Sequence, residues 1–404
     1  MATPAQRTNT WILNEWYDQA VAGTQGDYVG QKDIFVWGQN ADGSLGLNQN
    51  PSNLEALSSP TQIGTDLDWN TISMSGGAVR ALKSDGTIWG WGQGTDGQLG
   101  LNQGTGNVYI SSPTQMPGTT WKNLGGGSTF LLATRTDGTL WSAGAKGYGK
   151  LGHGTGPGPG TSRSSPVQIG SGTNWSKAFT TSGSTAAALK TDGTLWTWGR
   201  NENSKLGSND NVTRSSPMQV GTNTNWSKLN MGTDQALALN TLGELYTWGG
   251  NGKGELGLNA PENAHKSSPT QIPGTWSDMG TGHQMSAGIK TDGTLWCWGN
   301  NQYGNLGQNN WGNPYQRSSP VQVGTDTNWK TVRPLAQHMM FATKTDGTLW
   351  TWGANFSGST GQNQSTGSTS PRLSSPTQIG TDTTWDLESY QGPGSQHPLF
   401  SHLF

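Results

Sequence analysis

Along most of the chain, large apolar residues alternate with small or polar ones at a period of two, in short runs closed by glycine. Residues 195–199 read L-W-T-W-G. On a strand this puts Trp196 and Trp198 on one face and Leu195 and Thr197 on the other. Upstream stands Asp192-Gly193, a strong signal for a tight turn: such turns need a positive φ that Gly tolerates and Asp can approach. Residues 189–201, L-K-T-D-G-T-L-W-T-W-G-R-N, therefore read as a turn and the strand leaving it. The same string recurs with small changes at 82–92, 133–144, 240–249, 290–299 and 344–353, and residues 34–38 (I-F-V-W-G) are a half copy near the start.

Each copy continues in one grammar. A Gly-rich turn leads to Leu-Gly (Leu45, Leu99, Leu151, Leu206, Leu256, Leu306), except that the copy after residue 353 has Thr360-Gly361. A loop of variable length follows, then Ser-Ser-Pro and a short strand such as P-V-Q-I-G. Proline at its start suits an edge strand, because it cannot donate to a ladder. A Trp comes next (Trp69, Trp121, Trp175, Trp226, Trp276, Trp329, Trp385), and a Gly/Ser/Ala-rich strand returns to the hairpin. A period of about 50 to 56 residues with about four short strands per unit means a propeller or an array.

The last repeat runs out just before its Asp-Gly hairpin, and the first begins just after one. The C-terminal strand is therefore expected to pair with residues 34–37 in one composite blade, which closes the ring and removes a sheet edge. Two segments result: an extension, 1–31, and the propeller, 32–404. In the extension, Thr10 is placed to cap a short helix over residues 11–22, with Gly23 as its terminator. That helix would gather Trp11, Ile12, Trp16 and Tyr17. Such a run of apolar aromatics either packs on the protein's own surface or docks on another subunit.

Composition narrows the function. Of 404 residues, 12% are charged and 30% hydrophobic, while Gly numbers 62 and Trp 21, so turns take the Gly and Trp supplies the buried area that aliphatics usually give. A net charge of −2 offers no bulk attraction to nucleic acid or to an anionic membrane. The start of the chain has no apolar stretch of signal-peptide type, and nothing approaches a membrane span. The single cysteine, Cys297, rules out an intrachain disulfide and reads as a small buried strand residue.

Catalytic constellations are missing: there is no phosphate-binding Gly loop, CxxC, HExxH or GxSxG. No catalytic residue, metal ligand or cofactor is expected. Asp85, Asp137, Asp192, Asp292 and Asp346 recur because the turn recurs, and His283, His338 and His397 have Ser, Thr or Gly in other copies. Arg163, Arg214, Lys266 and Arg317 recur before Ser-Ser-Pro, most simply as a solvated rim. The informative positions are the variable loops after Leu-Gly, which share one side of a propeller. Tyr109, Trp311 and Tyr315 place aromatics there as candidate contacts for a protein or sugar partner.

The pattern D-G-x-[LV]-[WY]-x-W-G-x-N-x-x-G-x-L-G followed by S-P resembles the repeats of the regulator of chromosome condensation family, seven times over from Ile34 to Phe404. The resemblance implies an all-β, seven-bladed β-propeller of four-stranded blades. The family's chromatin-binding and nucleotide-exchange activity goes with a basic tail, whereas residues 1–9 carry only Arg7 as a charge. A plant ultraviolet receptor shares this fold, but its G-W-R-H-T motif does not occur here. The N-terminal stretch T-N-T-W-I-L-N-E-W-Y-D-Q-A-V-A-G and the Asn/Gln/Thr/Ser-rich surface resemble small propeller proteins of tailed phages of marine bacteria. That resemblance implies a non-enzymatic virion component, decorating the capsid or sitting at the tail, assembled in the host cytoplasm. Its partners would be other virion proteins, or a host surface protein or glycan. The alternatives are a soluble adaptor or inhibitor of a host protein, and a glycan-binding adhesin using Trp311 and Tyr315.

Overall fold

The computed structural model describes residues 32–403, apart from 41, 50–51, 105, 107, 157–161, 180, 182, 336–337, 363–371, 389 and 392–398. Trp11, Ile12, Trp16 and Tyr17, the expected anchor, lie outside the described residues, as does His397.

The hairpin units assemble as the alternation predicts. Blade 3 shows the plan: Trp175–Ala178, Thr185–Lys190, Leu195–Gly199 and Arg214–Gln219 follow one another as four antiparallel strands. Seven such sheets form among the described residues. We number the six consecutive ones blades 1 to 6 in chain order (residues 69–115, 121–168, 175–219, 226–272, 276–322 and 329–378). Blade 7 is composite. Lys32–Gln39 pairs on one side with Ala56–Gln62 and on the other with Leu399–Leu403, in the register Ile34↔Ser401 and Val36↔Leu399. The expected closure of the ring is thus present in the backbone ladder.

Two strand details differ from the sequence reading. The outer strand begins three residues before its proline, as in Arg163–Gln168, so Pro166 lies inside the strand. The ladder shifts register there, from Gly144↔Arg163 to Ser142↔Val167, and a bulge on an edge tolerates a residue without an N–H. Blade 1 also gains a fifth strand. The first strand of blade 7 is only Trp385–Asp386, and the chain beyond it, Tyr390–Gln391, pairs in parallel with Ile72 and Ser73. That extra pairing ties the seam blade to its neighbour.

Each hairpin is pinned by its own side chains. Asp192 Oδ1 accepts from the Thr194 N–H at 3.0 Å and from its hydroxyl at 2.6 Å, and Thr194 Oγ1 accepts from the Trp196 indole at 2.8 Å. The recurring aspartates are therefore turn residues, as expected. The recurring Lys of K-T-D-G caps the same Trp pair: Lys190 Nζ lies 4.0 Å above Trp196 and 5.0 Å from Trp175. In blade 4, where the string is N-T-L-G-E, Asn240 Oδ1 takes the turn role by accepting from Leu242 and Glu244.

Between blades the repeat builds a latch. The second Trp of each W-x-W is fully buried and donates its indole N–H to the carbonyl before Leu-Gly of the preceding blade. Trp198 donates to Lys150 (2.8 Å), Trp248 to Lys205 (2.9 Å), Trp298 to Glu255 (2.9 Å) and Trp352 to Asn305 (3.0 Å). Trp37 to Ser359 and Trp91 to Ser44 close the series across the seam. The glycine of Leu-Gly makes room: a Cβ on Gly207 would stand 2.9 Å from the Trp248 indole nitrogen. Asn201 holds the intervening loop by accepting from the Leu206 N–H at 2.9 Å. The core is consequently a ring of inter-blade layers; one of them unites Ala187, Leu189 and Leu195 of blade 3 with Trp226, Ala236 and Trp248 of blade 4.

Candidate functional site

Two faces follow from the strand directions. From blade 2 to blade 7 the first strand starts beside the preceding hairpin turn, Asp-Gly in all but the Leu242-Gly243 of blade 4, as when the Trp175 N–H donates to Gly138 O at 3.0 Å. One face of the disc thus carries the Asp-Gly turns. The other carries the variable loops after Leu-Gly and the turns between first and second strands.

The exposed apolar side chains are divided unequally between them. Tyr109, Tyr148, Val212, Trp311, Tyr315 and Phe356 are all exposed on the loop face, Trp311 by 55%, whereas Leu242 stands exposed on the turn face. The three aromatics singled out from sequence are in this group: Tyr109 opens the fourth strand of blade 1, paired with Gln93 rather than in the loop, while Trp311 and Tyr315 stand in the loop of blade 5. Sequence reasoning missed Tyr148 and Phe356, which sit in short 3-10 turns after the third strands of blades 2 and 6. Their signal was an aromatic in the otherwise Gly/Asn/Ser-rich stretch between W-G (or A-G) and L-G (or T-G).

Phe356 belongs to a wider aromatic cluster on this face. Its ring meets Tyr303 at 5.4 Å, Tyr303 meets His338 at 4.9 Å, and His338 meets His283 edge-on at 5.0 Å. Arg372 covers Tyr303 at 5.2 Å. Burial, helped by the nearby His283, pushes the His338 imidazole down to about 4, so it is neutral at physiological pH. Among the described residues no three His, Cys, Asp or Glu side chains gather as a metal centre needs. Cys297 is buried in the third strand of blade 5, with its thiol pushed up by burial.

A second feature lies on the axis. The innermost strands of blades 3 to 6 and the segment after Trp385 bring Lys177, Lys228, Asp278, Arg333, Glu388 and Tyr390 around one cavity of about 240 Å³. Side chains from five successive blades meet in this way only at the centre of the ring. Asp278, buried, accepts from Lys228 at 2.9 Å and Arg333 at 2.6 Å, and its Oδ2 also takes the Val332 N–H at 2.9 Å. Burial raises a carboxyl, but here Arg333 and Lys228 outweigh it and hold Asp278 below the usual carboxylate range. Lys177 is pulled the other way: burial, Arg333 and Lys228 lower it, against the pull of Asp278. None of these residues stood out from the sequence. They occupy the second and fourth places after the inter-blade Trp, or the stretch after Trp385, where the repeat fixes direction and leaves side-chain identity open.

Comparison with known proteins agrees with this architecture. Residues 85–133, 192–239, 243–289 and 292–333 match the regulator of chromosome condensation (RCC1) repeat, and residues 277–305 match a second description of the same repeat. The chain is 27% identical over 195 residues to the ultraviolet-B receptor UVR8 of Arabidopsis thaliana, covering 46% of this chain and 42% of the receptor. It is 29% identical over 180 residues to the RCC1 domain-containing mitochondrial protein RUG3 of the same plant, covering 43% of this chain and 40% of that one. The chain thus matches about two-fifths of the length of these curated relatives. Among solved structures, human WBSCR16 superposes with a TM-score of 0.78 at 18% identity, over 92% of this chain and 99% of that one. Prp20p of Saccharomyces cerevisiae, described with its binding to Gsp1p and histones, gives 0.78 at 18% over 93% and 92%. These likenesses show the fold. A single repeat builds every blade, and in four separate stretches it matches the RCC1 repeat, so the chain is a β-propeller whose repeats are similar to those of the RCC1 family.

Proposed function

We propose that the protein is a non-enzymatic binding scaffold whose protein partner docks on the loop face. The observation that carries this reading is the one-sided distribution of exposed apolar side chains: six lie on the loop face and one on the turn face, among the described residues. Aromatic anchors amid polar loops are the composition of a docking surface rather than of a solvated rim. Trp311→Ala and Tyr315→Ala should leave the disc folded and weaken partner binding. Binding unchanged by both would sink the assignment of this face.

The finer reading is a virion component, with residues 1–31 as the anchor and the loop face displayed outward. It is supported by the resemblance of the N-terminal stretch to phage propellers, and none of the relatives named above is a virion protein. A protein of this kind co-sediments with particles at fixed stoichiometry, and loses that association when residues 1–31 are deleted. If the protein stays in the soluble fraction, the scaffold serves as a free adaptor instead.

A further inference from the structure

We propose that the axial cavity is a carboxylate-binding site, with Lys177 as the residue that holds the ligand. This site is separate from the loop face, because it sits where the innermost strands begin, on the side of the Asp-Gly turns.

Three observations converge. The first is charge. Of the cavity's lining residues, Lys177, Lys228 and Arg333 are cations and Asp278 and Glu388 are acids, three against two, for a net charge of +1. Asp278 already engages Lys228 and Arg333, and Glu388 faces Lys330 at 3.4 Å. Lys177 makes no ion pair or hydrogen bond among the described residues, and its ammonium rests 5.4 Å from the Phe179 ring. Lys177 is thus the cation left for an incoming anion, which one carboxylate group satisfies.

The second observation is a neighbouring donor. Asn230 also lines the cavity. Its Oδ1 accepts from the Thr281 N–H at 3.3 Å and from the Thr281 hydroxyl at 2.7 Å, which fixes the oxygen and leaves Nδ2 as a donor with no partner among the described residues. Lys177 Nζ and Asn230 Nδ2 thus offer two donors from adjacent blades, as a two-oxygen acceptor requires.

The third is room. The cavity measures about 240 Å³, whereas a single water needs roughly 10–15 Å³ on the same measure. A glutamate or aspartate side chain, or a small free dicarboxylate, fits that space. Arg333 and Lys228, held by Asp278, supply a positive field around it without being drawn away to solvent.

The test uses the full chain, with glutarate, inorganic phosphate and a fluorescein-labelled octapeptide of glutamate as probes, at constant ionic strength. Wild type should bind glutarate saturably, and more tightly than phosphate. Lys177→Met should weaken it about tenfold, the loss of one charge-assisted bond, while Lys177→Arg retains it. Lys177→Gln replaces the Met variant should the latter fail to fold by its circular-dichroism melt. A glutamate peptide that binds at least tenfold tighter than glutarate, and depends on Lys177, assigns the carboxylate to a partner's acidic segment. Equal or weaker peptide binding assigns it to a free small acid. Binding that ignores the charge at position 177, or no saturable binding of either carboxylate, overturns the proposal.

Discussion

Arg80 Nε donates to the Gln98 carbonyl oxygen at 2.9 Å, in the place where the other six blade junctions have an indole. Blade 2 reads L-W-S-A-G, with Ala143 where the latching Trp stands elsewhere. The Gln98 carbonyl would be left without its donor, and a buried orphan carbonyl costs about 1–3 kcal/mol. Arg80, from a strand position that is Leu, Ala or Phe in blades 2 to 6, fills the gap and also donates to Gly127 O at 3.2 Å. Burial pulls its pKa down to about 9, still high enough to keep it a cation at neutral pH. The volume of the missing indole is taken by apolar neighbours: beside Gly100 stand Met116 and Leu131 in place of a Trp ring. Arg80→Ala should therefore destabilise the disc by about 2–4 kcal/mol. Ala143→Trp alone should also destabilise it, by overpacking. Combining Ala143→Trp with Arg80→Ala and Leu131→Ala should recover most of the loss in a urea titration. Additive losses in the triple variant would contradict the replacement.

The Asp-Gly turns set a second expectation. Gly193 has φ +75°, and a Cβ there would collide with the Thr224 carbonyl oxygen. The Gly193 carbonyl also accepts the Trp226 N–H that starts blade 4. Gly193→Ala should cost about 2–4 kcal/mol, from strain and displaced backbone together. Gly170, at φ +60° with nothing within 4 Å of its added Cβ, bears the strain alone. Gly170→Ala should cost about 1 kcal/mol. Equal thermal melts for the two variants would show that backbone conformation, not blade contact, sets the cost.

Asp278 holds the axial cations in place. Asp278→Asn would leave Arg333 and Lys228 facing each other without a carboxylate. The loss expected from breaking a buried pair is about 3 kcal/mol. The half-exposed Lys228 contributes little of it, because its ammonium regains water. Pairing the change with Arg333→Met should restore most of the stability, as read by chemical denaturation.

His338 makes the loop face sensitive to acid. Its imidazole is held near 4 in the folded protein, against about 6.5 in an unfolded chain. Between those values the unfolded state binds the extra proton, so stability is full above about pH 6.5 and falls as the pH drops toward 4. The expected loss from His338 at pH 5 is about 1–2 kcal/mol. His338→Asn suits the local backbone, whose φ of +61° Asn tolerates. The difference in unfolding free energy between pH 7 and pH 5 should shrink in this variant. An unchanged difference would assign the acid sensitivity to other groups.

The repeat made most of the fold readable. Asp-Gly, W-G and Leu-Gly each mark a local necessity: a positive φ, a strand end, a seat for the next blade's indole. The composite blade was readable because the last copy stops where the first begins. Functional positions were harder for the same reason. Lys177, Asn230, Asp278 and Arg333 lie where the alternation fixes which way a side chain points and nothing fixes what it is. Their meeting depends on ring closure across four blades. Arg80 was hidden differently. The alanine in L-W-S-A-G was plain, but its compensation lies 63 residues upstream, on another blade. Trp311 and Tyr315 were visible as aromatics in a polar loop, and only the structure separates exposed ones from those packed on a blade.

The central claim is that a protein partner docks on the loop face. The most direct measurement is quantitative affinity capture with the full chain, comparing wild type, a Tyr109→Ala/Trp311→Ala/Tyr315→Ala variant, and Leu242→Ser on the opposite face. The account predicts one stoichiometric protein retained by wild type and by Leu242→Ser, and lost by the triple variant, with all three chains equally folded. Retention by the triple variant and loss by Leu242→Ser would contradict it and move the docking site to the turn face.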